Sequence, residues 1–167
     1  MEHRFGRLPR QSMIFDFDGG LKVTEYSKVQ KLSLWYGYFG LIPFVGLSLV
    51  IAIGIFNTGQ VRWLYDSYSA LVLSFMAGVY WPMAMKEHGP ACPARLMRAS
   101  ILMSLWAWFT LMIPEVCRPV AFSAGFAVLF GIDRFVLEDL WPWDYLKMRM
   151  HLTVVVIASQ ILVAMFN

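Results

Sequence analysis

Five apolar segments, roughly Ser33–Phe56, Ser67–Met85, Leu96–Ile113, Pro119–Ile132 and His151–Phe166, limit what this chain can become. In water they would have to be buried, and a chain of 167 residues with 59% hydrophobic and 15% charged residues has too little polar surface to cover them. The mean hydropathy of +0.57 agrees. The bilayer is therefore the solvent, and within it every backbone N–H and C=O must be satisfied inside the segment, which selects helices. The expected fold class is all-α, a polytopic membrane protein built as a bundle of five transmembrane helices. A hydrocarbon core takes about 20 helical residues. The first two segments meet that length, whereas the fourth and fifth are short and must borrow from the stretch Asp133–Thr153 between them, or else thin the membrane locally. That stretch, DRFVLEDLWPWDYLKMRMHLT, is read as an interfacial elbow between spans 4 and 5, with a short interfacial helix or re-entrant turn near Phe135–Trp141.

Basic residues set the orientation. Twelve of the fourteen Lys and Arg fall on one side of a five-span arrangement: six in the N-terminal arm, then Lys86, Arg95, Arg98, Arg134, Lys147 and Arg149. Arg62 and Arg118 fall on the other. The positive-inside rule then makes the N-terminus cytoplasmic and Asn167 external, in what reads as a bacterial inner membrane. Net charge +3 does not indicate nucleic acid, since the basic residues sit beside apolar spans without interleaved aromatics. Cys92 and Cys117 lie in loops on opposite faces, which excludes a disulfide between them.

Two domains are expected, a cytoplasmic arm over 1–32 and a five-helix transmembrane domain over 33–167. The arm carries four acidic residues and no continuous apolar run, so the first span acts as the insertion signal. Met13–Asp18 alternates apolar and acidic residues, Gly19-Gly20 marks a turn, and Thr24 can cap a short helix leading into the first span. MIFDFDGGL resembles the first motif of haloacid dehalogenase-type phosphatases, with Gly20 in place of threonine. That resemblance would make Asp16 a nucleophile and Asp18 an acid. The motif needs a Rossmann-like domain to hold the carboxylates and Mg²⁺, yet a span begins at Ser33, so the segment is read as an arm that packs on the membrane face.

Small residues recur within the spans. Gly37, Gly40, Pro43 and Gly46 are spaced by three; Ala70, Ser74, Gly78 and Pro82 by four; Ala121 with Gly125, and Ala127 with Gly131, are again four apart. In lipid, close approach of backbones replaces the hydrophobic drive, so these faces predict helix packing. Pro82 has no N–H for the carbonyl of Gly78, which predicts a kink there. Gln160 is the most polar deep residue, and interhelical hydrogen bonding is its ordinary role.

Two segments resemble a known family. Tyr68–Ala84, YSALVLSFMAGVYWPMA, is one; the other is Asp133 followed by Pro142, Trp143, Tyr145, Arg149, Leu152 and Thr153. With the run Leu41-Ile42-Pro43-Phe44, they are similar to the five-span membrane protein family of unknown function that includes transmembrane protein 69. The resemblance covers about residues 33–166 and supports the fold more than a function. Where the family pattern has Gly-Gly-x-His-Trp-Gly, this chain reads Ala77-Gly78-Val79-Tyr80-Trp81-Pro82, so a role resting on that histidine is absent here.

Chemistry is sparse. His3, His88 and His151 are cytoplasmic or interfacial, which argues against haem or metal held between spans, and no cofactor is expected. Glu115 and Arg118 are expected to form a hydrated or local pair at the outer ends of spans three and four. Asp133 and Arg134 could lie at membrane depth, with Arg134 four residues from Glu138 and Asp133 accepting from Arg149 or Tyr145. The candidate functional surface is Asp133, Trp143, Tyr145, Arg149, Gly78, Tyr80, Trp81 and Pro82, with no catalytic residue assigned. The leading reading is a non-catalytic accessory or assembly component of a larger inner-membrane complex, in contact with the lipid bilayer and either other subunits or copies of itself. The alternative is a binder or carrier of an apolar or anionic small molecule, a quinone or lipid, at the cytoplasmic-side groove. A third is an interfacial lipid-modifying enzyme using Glu87, His88, Asp133, Glu138, Asp139, Asp144 and His151, which lack the spaced aspartate motifs of such enzymes.

Overall fold

The structure is a computed structural model and describes residues 32, 35–54, 58–85, 93–137, 141 and 143–166. The arm with Asp16, Asp18 and Thr24, and also Glu87, His88, Cys92, Glu138, Asp139 and Pro142, lie outside the described residues. Two compact units are present, Met1–Trp35 and Tyr36–Asn167. Leu32 and Trp35 are the described residues of the first, both exposed in helical backbone. Everything below concerns the second.

Among the described residues every regular element is helical. Helix α1, Ile42–Ile53, starts with Pro43 in its first turn, where the missing N–H leaves nothing unpaired. It stops at Gly54, whose φ of 71° is the left-handed cap that glycine adopts without strain and whose N–H reaches Val50 O at 3.1 Å. Helix α2, Thr58–Gly78, begins well before Ser67, where hydropathy had placed the second span. Those extra turns contain Arg62 and Asp66, both buried and both bonded to distant parts of the chain. Pro82 has the expected effect: the helical run breaks at Val79 and resumes as the short α3, Tyr80–Ala84.

Helix α4 covers Pro93–Thr110, and a 3-10 turn, Glu115–Cys117, leads into α5, Arg118–Phe135, again with proline in its first turn. Helix α6 spans Trp143–Met165. The two short apolar segments therefore both borrow from the charged stretch between them. At 23 residues α6 measures about 34 Å, enough to cross a bilayer core. The end of α5 closes with Val136 and Leu137 N–H groups both bonded to Ile132 O.

Packing runs α1 on α2 and α6, α2 on α4 and α5, and α5 on α6. Phe44, Tyr65, Leu73, Phe122, Phe126 and Leu129 form the centre, with Phe44 edge-on to Tyr65 at 5.9 Å and to Phe126 at 6.0 Å. Gly125 lets α5 approach closely, since a Cβ there would stand 2.8 Å from Leu73 Cδ2 and 3.2 Å from Trp106 Cδ1. Outside, large apolar side chains such as Leu49, Trp63, Leu71, Phe75, Leu102, Val120, Val154 and Ile161 are exposed. A bundle that keeps its polar side chains inside, beside an apolar centre, and turns an apolar exterior outward suits lipid. Among the described residues three helical stretches are long and apolar enough to cross a membrane, Trp35–Ile53, Glu115–Phe135 and Trp143–Met165. Among the described residues, helices α2 and α4 have the length of a span but fall short of that hydropathy.

Candidate functional site

The last turn of α5 points Asp133 inward, and the first turns of α6 bring Tyr145 and Arg149, four residues apart, onto the facing side. Asp133 is fully buried and Arg149 nearly so. Arg149 Nε donates to Asp133 Oδ2 at 2.7 Å, and Nη2 converges on the same oxygen at 2.5 Å without hydrogen-bond alignment. Arg149 is thus the partner of Asp133, and Tyr145 instead supplies a ring beneath the guanidinium, 5.8 Å from its centroid. Tyr145 stacks in turn on Trp141 at 4.4 Å with the rings 28° apart. Tyr80, on α3, lies against the same carboxylate and donates its hydroxyl to Leu129 O at 2.9 Å. Neither Asp133 Oδ1 nor Trp141 Nε1 forms a short, aligned hydrogen bond, although the Trp141 side chain lies against the carboxylate.

The eight residues singled out from the sequence therefore divide. Asp133, Arg149, Tyr145 and Tyr80 come together, and Trp141 completes their cluster. Gly78, Trp81, Pro82 and Trp143 are exposed on the outside, with Lys147 Nζ 5.5 Å over the Trp143 ring. Among the described residues no three His, Cys, Asp or Glu side chains gather.

A second buried charge cluster stands at the far end of the bundle, where sequence reasoning placed hydrated residues. Asp66, 2% exposed, accepts from Arg118 Nη1 at 3.0 Å, and Glu115 stands farther from that nitrogen, at 3.8 Å. Arg118 Nε also donates to Ile113 O, and Arg62 Nη2 donates to Phe166 O, both at 3.0 Å. Arg62, Asp66, Ala70 and Leu73 share one helical stripe at spacings of four, four and three, and that periodicity was the available signal. Hydropathy alone hid it, because two charges in a window lower the score whether or not they find partners.

Between the ends lies a neutral polar layer joining α2 to α6. Tyr65 OH and Ser159 Oγ are 2.7 Å apart, Gln160 Nε2 donates to Ser69 Oγ at 3.0 Å, and Ser69 donates to Tyr65 O at 2.8 Å. Gln160 acts as the interhelical donor expected of it, although its Oε1 has no hydrogen-bond partner. Each layer thus ties helices distant in sequence.

Comparison with known proteins adds a family and no activity. The family model described as "Protein of unknown function (DUF3429)" matches residues 29–165. "Transmembrane protein 69" of Xenopus tropicalis is 31% identical over 134 residues, covering 77% of this chain and 52% of its own length. The chain spans about half the length of that curated relative. No solved structure matches.

Proposed function

Given that the chain belongs to the family described as Protein of unknown function (DUF3429), we propose that this membrane protein is non-catalytic and serves as an accessory or assembly component of a larger inner-membrane complex. The destination of the buried polar side chains carries this reading. Asp133 goes to Arg149, Asp66 to Arg118, Tyr65 to Ser159 and Gln160 to Ser69, each tying one helix of the chain to another. An ionisable group that works on a substrate must reach it, whereas a fully buried carboxylate held by a guanidinium ties two helices. The test is extraction of native membranes in a mild detergent and capture of the tagged chain. Stoichiometric co-purification of other membrane subunits is expected; lone or self-associated chain would remove the reading.

The same reading has five spans, with the N-terminus cytoplasmic. Helix α2, at 21 residues, is about 31 Å long and α4, at 18, about 27 Å, so both reach across a core despite their hydropathy. Internal pairing of Asp66 and Arg118 lowers the penalty for placing Asp66 in α2. Cys117 is exposed in the turn before α5, on the external face in this topology. With Cys92 replaced by serine, a membrane-impermeant maleimide is expected to label Cys117 in intact cells and not in inverted vesicles; the reverse pattern would invert the topology.

A second reading, a quinone or lipid headgroup bound at the Asp133 end, draws on Asp133 Oδ1 and Trp141 Nε1, which lie against each other without a short, aligned hydrogen bond. Saturable quenching of tryptophan fluorescence by an added quinone, lost in the Trp141→Phe variant, would favour it.

A further inference from the structure

A shallow groove of about 440 Å³ lies on the outer side of the first helical stretch, lined by Tyr38, Leu41, Ile42, Val45 and Gly46. Three of these, Tyr38, Ile42 and Val45, are exposed. The floor is open at Gly46, where a Cβ would meet no atom within 4 Å. From Tyr38 to Gly46 the groove follows about 12 Å of helix. Its Tyr38 end is polar: the Tyr38 hydroxyl and His151 Nδ1 are 3.2 Å apart. With Tyr38 donating, the ring proton of His151 sits on Nε2, a donor directed away from that bond. Lys147 lies one turn from His151 on the same exposed face of α6, its ammonium over Trp143. Asp144, also exposed, lies about one turn before Lys147 of this basic rim on the same helix.

We infer that this groove holds an acyl chain of an anionic glycerophospholipid whose phosphate rests on His151 and Lys147. Continuity between groove and rim carries the assignment, because Tyr38 belongs to both. An apolar channel ending at two basic side chains complements a molecule with a hydrocarbon tail and a negative head. A second copy of the chain fits less well. Two copies sharing one membrane orientation are related by an axis along the bilayer normal, which sets the basic rims of both copies at one depth with no acidic partner supplied by the groove. The inference concerns a different surface from the Asp133 cluster and does not depend on the proposed assembly role.

The test is native mass spectrometry of the purified full chain incubated with dioleoyl phosphatidylglycerol or dioleoyl phosphatidylcholine, which share their acyl chains. At least tenfold higher retention of phosphatidylglycerol is expected. Lys147→Gln with His151→Gln should bring the two lipids to equal retention. Gly46→Leu, whose Cβ would meet no neighbour as the side chain enters the groove, should lower retention of phosphatidylglycerol by a similar factor. Gly131→Leu, at another glycine with open space, should leave it unchanged and so controls for general damage. Equal retention of both lipids by the unmodified chain, unaltered retention in Gly46→Leu, or a chain–chain dimer abolished by Gly46→Leu would each overturn the inference.

Discussion

Arg149→Met is expected to destabilise the bundle by about 3–5 kcal/mol, the usual effect of stripping one partner from a buried ion pair. The methionine fills much of the arginine's volume, so the loss is mainly electrostatic. It leaves the Asp133 carboxylate fully buried without its charged donor to Oδ2, with only the neutral Trp141 and Tyr80 side chains against it. Tyr80 cannot substitute without giving up Leu129 O. The double variant Asp133→Asn with Arg149→Met removes both charges and should recover most of the loss. Unfolding in mixed detergent micelles, read by helical circular dichroism, compares the two. If the single and double variants unfold alike, the pair contributes no electrostatic stability and its role as a helix tie is wrong.

Gly125→Leu is the second large effect, expected to cost about 1–3 kcal/mol or more through overpacking. A Cβ alone at this position comes within 2.8 Å of Leu73 Cδ2 and 3.2 Å of Trp106 Cδ1, so the Leu73 side chain must turn aside and the Trp106 ring or the helices must shift before any larger side chain fits. Trp106 is anchored by donating its indole N–H to Ala121 O at 3.0 Å, which resists that movement. Within a membrane the displaced apolar surface finds lipid, so the penalty arises from lost close contact and strain more than from exposure to water. Gly131→Leu, on the same helix with open space, is expected to change stability by less than about 0.5 kcal/mol. Equal stability of the two variants would show that α5 does not pack through Gly125.

Gly125 and Gly131 both belong to pairs of small residues four apart, and nothing in those pairs distinguishes them. The first span repeats the lesson: a Cβ at Gly37 would lie 2.7 Å from Met148 Sδ, whereas one at Gly46 would meet nothing. A small residue permits close approach; whether a neighbour takes up the permission depends on the rotation of each helix in the bundle. The Asp133–Arg149 pair was more legible, because both residues flank a short loop and their helices must pack side by side. Asp66 and Arg118 are 52 positions apart and meet only because α2 and α5 cross in the interior. A window of hydropathy treats each as an isolated charge and so begins the second span too late.

Composition and the spacing of apolar runs sufficed to determine the all-helical class, the lipid-facing exterior, the break near Pro82 and the lengthening of the last two helices through the charged stretch. These follow from local chemistry, since backbone groups in hydrocarbon must pair within their own segment and proline has no N–H to contribute. Tertiary structure alone decided which charges are buried, which oxygen of Asp133 is bonded, that Trp141 joins the Asp133 cluster while Trp81 and Trp143 face outward, and which glycines hold helices together. The physical reason is that burial and pairing depend on the relative rotation and depth of several helices at once, a property of the packed bundle that no single segment encodes.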